Sequence, residues 1–153
     1  MSLASPSHIA LPYRILFLYI EPLAALFGTY TTLFHPEPYL LSLSPTATYS
    51  PLTYPIYAQI AGHDLLFSWL QAVLLRSTSS VRIWKIVLFG ILMCDVLHLY
   101  GSYVVLGPES FFDPRTWRWE EWITFVMTYG PGLLRAAFCL EIGVSQTRAT
   151  KPS

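Results

Sequence analysis

The sequence predicts an all-α fold: one polytopic membrane domain, a bundle of four transmembrane helices with both termini cytoplasmic. Three observations predict it. The 153 residues are 54 % hydrophobic and 16 % aromatic but only 12 % charged, where an ordinary soluble domain is about a quarter charged. The apolar residues gather into four runs of the ~20 residues needed to cross a hydrocarbon core ~30 Å thick. Most lysines and arginines then fall on one side of those runs. Nine Lys+Arg against nine Asp+Glu give zero net charge. An uncharged, aromatic-rich surface of this kind invites precipitation from water, and a nucleic-acid binder would carry a basic excess. The partners expected are a lipid bilayer and a hydrophobic small molecule, not nucleic acid.

Taken in order, the expected spans are residues 14–34, 55–75, 83–106 and 121–144. The first is expected to act as an uncleaved signal anchor, because no basic n-region or small-residue cleavage site accompanies it. Pro36, Pro38, Pro45 and Pro51 punctuate the stretch after it, which reads as a loop. Arg76 to Ser80 is a short polar hinge between the second and third spans. The loop from Gly107 to Trp119 is charged and aromatic, and Gly130-Pro131-Gly132 is expected to break the fourth span. Barrel strands are excluded, since they need alternation over ~10-residue segments. Arg14, Arg76, Arg82, Lys85, Arg148 and Lys151 lie on one side, with only Arg115 and Arg118 on the other. That asymmetry places both termini in the cytoplasm. Trp84 and the group Trp117, Trp119 and Trp122 supply interfacial anchors at opposite faces. Glu120 and Glu121 read as solvated. A chain of this kind without sorting signals is expected in the endoplasmic reticulum.

Ionisable residues inside apolar spans cost about 2.5–3.5 kcal/mol each on insertion scales and mark functional sites by default. Glu21 stands in the first span, His63 and Asp64 in the second, Asp95 and His98 in the third, Arg135 in the fourth. At ~1.5 Å per helical residue, Glu21, Asp64, Asp95 and Arg135 all fall ~10–18 Å deep. Four lipid-facing accidents at one depth are improbable, so the groups are expected to converge inside the bundle. An arginine balances about one carboxylate, so the carboxyls in excess of Arg135 are expected to be protonated and available as acids. Asp95 and His98, at i and i+3, share a helix face. Plainer structural roles stand beside these. Arg135 with one acid is a lock between helices, Asp95 with His98 a structural pair, Glu21 before Pro22 a cap on a kink, and His63 with Gln59 polar glue.

Motifs for other chemistry are missing. Cys94 and Cys139 form no CxxC pair, and neither HxxxH nor HExxH occurs, so no metal site is expected. Phosphate loops and dinucleotide fingerprints are also absent, so no cofactor is expected. The chain contains no asparagine, hence no N-glycosylation acceptor.

The opening Leu11-Pro12-Tyr13-Arg14 through Phe17-Leu18-Tyr19-Ile20-Glu21-Pro22, the segment Asp95-Val96-Leu97-His98 with Tyr100-Gly101, and Pro131-Gly132 followed by Arg135 resemble small fungal four-span membrane proteins of unknown function. The chain is more distantly similar to the emopamil-binding (EXPERA) group, which includes sterol isomerases of the endoplasmic reticulum, and to fungal membrane-bound terpene cyclases. The latter have more spans, and no catalytic motif transfers residue by residue. These resemblances imply a place in fungal secondary metabolism.

The function expected is acid–base isomerisation or cyclisation of a lipophilic terpenoid- or polyketide-like molecule, without a cofactor. Asp95 would be the general acid, Glu21 and Asp64 the helper or terminal base, with His98 orienting the acid and Arg135 holding the charge balance. Phe17, Tyr19, Phe67, Trp69, Tyr100 and Phe125 would form aromatic walls able to stabilise a cation. The alternative is a non-catalytic protein that binds a hydrophobic metabolite or supports a partner enzyme. A third reading is a small ion or proton transporter assembled as a homo-oligomer.

Overall fold

The computed structural model describes residues 9–144. Among the described residues the fold is all-α, built from five helices. The one extended contact among the described residues is an isolated bridge between Ile9 and Val144.

Helix α1 covers Leu11–Phe34. Pro12 sits in its first turn, where a missing N–H costs nothing. His35 leaves helical geometry (φ −136°, ψ 55°) directly before Pro36, as a residue preceding proline tends to do. The stretch expected to be a loop contains a short helix, α2, at Pro36–Leu43. Pro36 and Pro38 are compatible with it because both stand in its first turn. Helix α3 covers Tyr54–Trp69 and continues through a π segment, Leu70–Leu74, and a 3₁₀ turn, Leu75–Ser77. Helix α4 spans Val81–Phe112 with one break at Gly107, whose φ of 76° suits glycine before Pro108.

Helix α5 covers Trp119–Cys139 and corrects the sequence reading three times. Glu121 is buried, not solvated: its Oε2 accepts from the Arg118 backbone N–H at 2.7 Å and its Oε1 from Arg118 Nε at 2.8 Å, a cap on the orphan first turn. Gly130-Pro131-Gly132 does not break the helix. Pro131 only deprives the Met127 carbonyl of its partner, which a helix packed against neighbours tolerates. The helix also ends at Cys139 rather than at residue 144, since Glu141 (φ 64°) and Gly143 (φ 72°) turn the chain through left-handed geometry.

Two antiparallel hairpins make the body. Helix α1 packs along α3, and α4 along α5. At one end Ile9, Tyr13, Phe17, Leu18, Leu75, Trp84, Leu88 and Phe138 form the main buried core. The Trp84 indole N–H lies 3.2 Å from the carbonyls of Leu75 and Thr78, and the Tyr13 hydroxyl donates to the Ile142 carbonyl at 2.7 Å. At the other end a second aromatic cluster gathers Phe111, Trp117, Phe125 and Tyr129. There α2 lies on α5, with Arg118 donating to the Leu41 carbonyl at 3.3 Å. The hairpins are thus joined at both ends and part between them.

Helices α1 and α4 are long and apolar enough to cross a membrane, and only 28 % and 17 % of their apolar windows are buried. A core helix of a water-soluble domain would be mostly buried. Leu23, Phe27, Ile86, Phe89, Val96, Val104, Val126 and Leu133 all point outward.

Candidate functional site

Glu21 is placed by an irregularity. A π segment, Leu16–Ile20, interrupts α1 immediately before it, and such segments re-aim the side chains that follow. Pro22 has no N–H to offer the Leu18 carbonyl, and Arg76 Nη2 donates to that carbonyl instead. Facing it, the π segment of α3 carries Gln71, which is 1 % exposed and donates its amide to Glu21 Oε2. One turn earlier Ser68 donates to the Pro22 carbonyl at 3.0 Å.

Arg135 enters this knot from α5. Its Nη2 donates to Glu21 Oε2 at 2.6 Å and its Nη1 to Asp95 Oδ2 on α4. The guanidinium carbon stands 5.9 Å from the centroid of the Phe17 ring. One arginine therefore ties α1, α4 and α5 together, pairing with two carboxylates where one was expected. Its planar fork makes this possible, because two separate edges donate at once. Glu21 Oε1 and Arg135 Nε are buried without a hydrogen-bond partner among the described residues.

Above the knot, where the hairpins part, a cavity of about 490 Å³ opens between α3 and α4. Its walls include His63, Asp64 and Phe67 of α3, Cys94, Asp95, Leu97 and His98 of α4, and Tyr39 of α2. Adjoining cavities of about 370 and 270 Å³ share Ile60 with it. This is the size range of small-molecule sites. Asp95 belongs to both cavity and knot. Asp64 makes no hydrogen bond or ion pair among the described residues. Its carboxylate nests against α1 at Gly28, where a Cβ would come within 2.8 Å of Oδ2. His63 lies against the Phe67 ring at 4.9 Å, with its Nε2 4.0 Å from Cys94 Sγ.

The expected site residues thus fall into two linked groups. Asp64, Asp95 and His98 line the cavity, while Glu21 and Arg135 lie beneath it. The expected Asp95–His98 pairing is corrected: Asp95 turns to Arg135, whose permanent charge is the stronger attraction, and no hydrogen bond joins Asp95 to His98. The aromatic walls are corrected as well. Of the six, only Phe67 lines this cavity. Phe17 lies under Arg135, Phe125 belongs to the far aromatic cluster, and Tyr19, Trp69 and Tyr100 face outward. Among the described residues no three His, Cys, Asp or Glu side chains are grouped to hold a metal ion.

A family described as a domain of unknown function, DUF7704, matches residues 6–145. The chain belongs to this family. No curated protein and no solved structure gives a significant match. The DUF7704 match takes in every residue of the knot and the cavity, so both lie within the family's domain. Arg148 and Lys151, counted in the charge asymmetry, lie outside the described residues.

Gln71, Ser68, Gly28 and Tyr39 were not singled out by the sequence. Gln71 and Ser68 are neutral, so no charge penalty marks them, and Tyr39 sits in a proline-rich stretch that reads as a loop. A usable signal existed for Gln71: a carboxamide within an apolar run has to find a partner.

Proposed function

We propose that this DUF7704 protein is a four-span membrane protein of the endoplasmic reticulum with both termini cytoplasmic. Its central groove takes up a lipophilic terpenoid- or polyketide-like molecule of fungal secondary metabolism and isomerises or cyclises it by proton transfer. The observation that carries this reading is the cavity between the hairpins, which brings two carboxyls and two imidazoles to apolar walls in the outward-apolar part of the bundle. Helices α3 and α5 support four spans: with their continuations they run roughly 36 and 32 Å, each more than a hydrocarbon core.

Within that reading Asp64 takes the proton-transfer role first expected of Asp95. The Asp95 carboxylate is already committed to Arg135, whereas Asp64 faces the cavity with no hydrogen-bond partner among the described residues. His63 and His98 are placed to pass protons, and the Glu21–Arg135–Gln71 knot fixes Asp95 as a wall. The test is conversion of candidate isoprenoids by microsomes carrying the full chain. Asp64→Asn is expected to abolish product at normal protein level. Gly28→Ala, which pushes the Asp64 carboxyl aside, is expected to cut it about tenfold with little loss of stability, because alanine favours a helix. Undiminished turnover in Asp64→Asn would sink the assignment.

A second reading is favoured by the knot itself. Its three charged and one amide side chains are consumed in holding helices together, as in a protein that binds a metabolite, or supports a partner enzyme, without turning it over. Stoichiometric retention of unchanged ligand is its expected signature.

A further inference from the structure

The strongest unassigned group in the molecule is the Tyr39 hydroxyl. Helix α2 is pinned over the groove by contacts that leave this hydroxyl unused. Arg118 holds the Leu41 carbonyl at 3.3 Å, and the Tyr39 ring stands edge-on to Tyr57 with centroids 6.3 Å apart. The side chain lines both the 490 Å³ cavity and the adjoining 270 Å³ one, so it stands at their junction. Its hydroxyl makes no hydrogen bond among the described residues, although a half-buried phenol normally finds a partner.

The rest of the cavity narrows the ligand. Asp95 is taken by Arg135. Ile60, Phe67 and Leu97 are apolar. The free polar groups are the Tyr39 phenol, the Asp64 carboxyl and the His98 imidazole, since His63 Nε2 meets Cys94 Sγ. A ligand with more polar atoms than these few groups can serve would leave the rest unpaired against the apolar walls. A pure hydrocarbon would leave the phenol unpaired.

We infer, resting on the groove reading above, that Tyr39 is the polar anchor of the cavity and that its ligand is an isoprenoid-like molecule with one carbonyl or hydroxyl oxygen on an apolar body. The phenol donates to that oxygen. It stays a donor at every physiological pH, because burial, with the Asp64 carboxyl facing it, pushes Tyr39 up to about 12. The apolar body fills the two cavities that meet at the ring.

The experiment uses the full chain in lipid nanodiscs and three tritiated probes in a scintillation proximity assay: farnesol, geranylacetone and the hydrocarbon farnesene. Wild type is expected to hold the alcohol and ketone about tenfold more tightly than the hydrocarbon, the worth of one good hydrogen bond. Tyr39→Phe keeps the ring contact with Tyr57 and is expected to level all three probes at the farnesene value. Ile60→Trp, which fills the groove, is expected to lose all three. A preference that survives in Tyr39→Phe, or is absent from wild type, overturns the anchor while leaving the groove reading standing. If no probe binds wild type, or all bind Ile60→Trp unchanged, the groove reading falls and this inference with it.

Discussion

Arg135 sits where a lone cation could not. It is 6 % exposed, and Glu21, its partner at 2.6 Å, is 7 % exposed. Removing one member of a buried charge group costs more than the group is worth, because the remaining charges are left dry and unpaired. Arg135→Ala should therefore destabilise by about 3–5 kcal/mol, read as a fall in the thermal midpoint of the purified chain in detergent and as lower abundance in membranes. Arg135→Lys should recover only part, since a point ammonium cannot serve two carboxylates on separate edges. The triple variant Arg135→Met, Glu21→Gln, Asp95→Asn should recover most, because no bare charge remains. A triple variant no more stable than Arg135→Ala would mean that geometry, not charge, holds this layer. The sequence alone made Glu21, Asp64, Asp95 and Arg135 visible, since charges are expensive inside apolar runs. It hid Gln71 and Tyr39, whose importance depends on what stands opposite them.

The elements explain why side-chain directions were harder to read than element positions. The apolar runs gave all four long helices, but a period of 3.6 residues cannot place Glu21 or Gln71, because a π segment before one and around the other resets the angle. The aromatic residues misled for the same reason: apolar all round, the helices offered no stripe to say which ring faces inward. At Pro22 the coupling between elements is measurable. Proline leaves the Leu18 carbonyl without its helical partner, and Arg76, on the 3₁₀ turn after α3, fills the gap while lying 4.4 Å above the Tyr19 ring. Arg76→Ala in the native background should cost about 1–3 kcal/mol, the penalty of an unpaired buried carbonyl. In a Pro22→Ala background, where the backbone supplies an N–H, the same change should cost about 1 kcal/mol less. Thermal unfolding of the four members of this cycle checks it, and strict additivity would show that Arg76 acts through Tyr19 alone.

At the scale of the whole molecule the decisive question is how the hairpins sit in a membrane, and the chain carries its own clean background for answering it. It has no asparagine, so any glycan must come from an engineered acceptor. The proposed four spans with cytoplasmic termini would put the segment between α1 and α3 on the lumenal side and the turn between α3 and α4 on the cytoplasmic side. Thr46→Asn creates an acceptor in the first of these, with Ala47 and Thr48 following it, and Ser77→Asn creates one in the second, with Thr78 and Ser79 following. Expressed in microsomes, Thr46→Asn should gain an endoglycosidase-sensitive gel shift and Ser77→Asn should not. The reverse pattern would invert the orientation and place the Trp84 core on the lumenal side, with the ion pair that Lys85 Nζ makes to Glu141 Oε1 at 2.8 Å. Modification of both variants would mean that α3 does not cross. The groove would then open to water along α3, and a lipophilic ligand would lose its route from the bilayer between α3 and α4. Lateral uptake of a hydrophobic molecule therefore falls if both variants are modified, and stands if only one of them is.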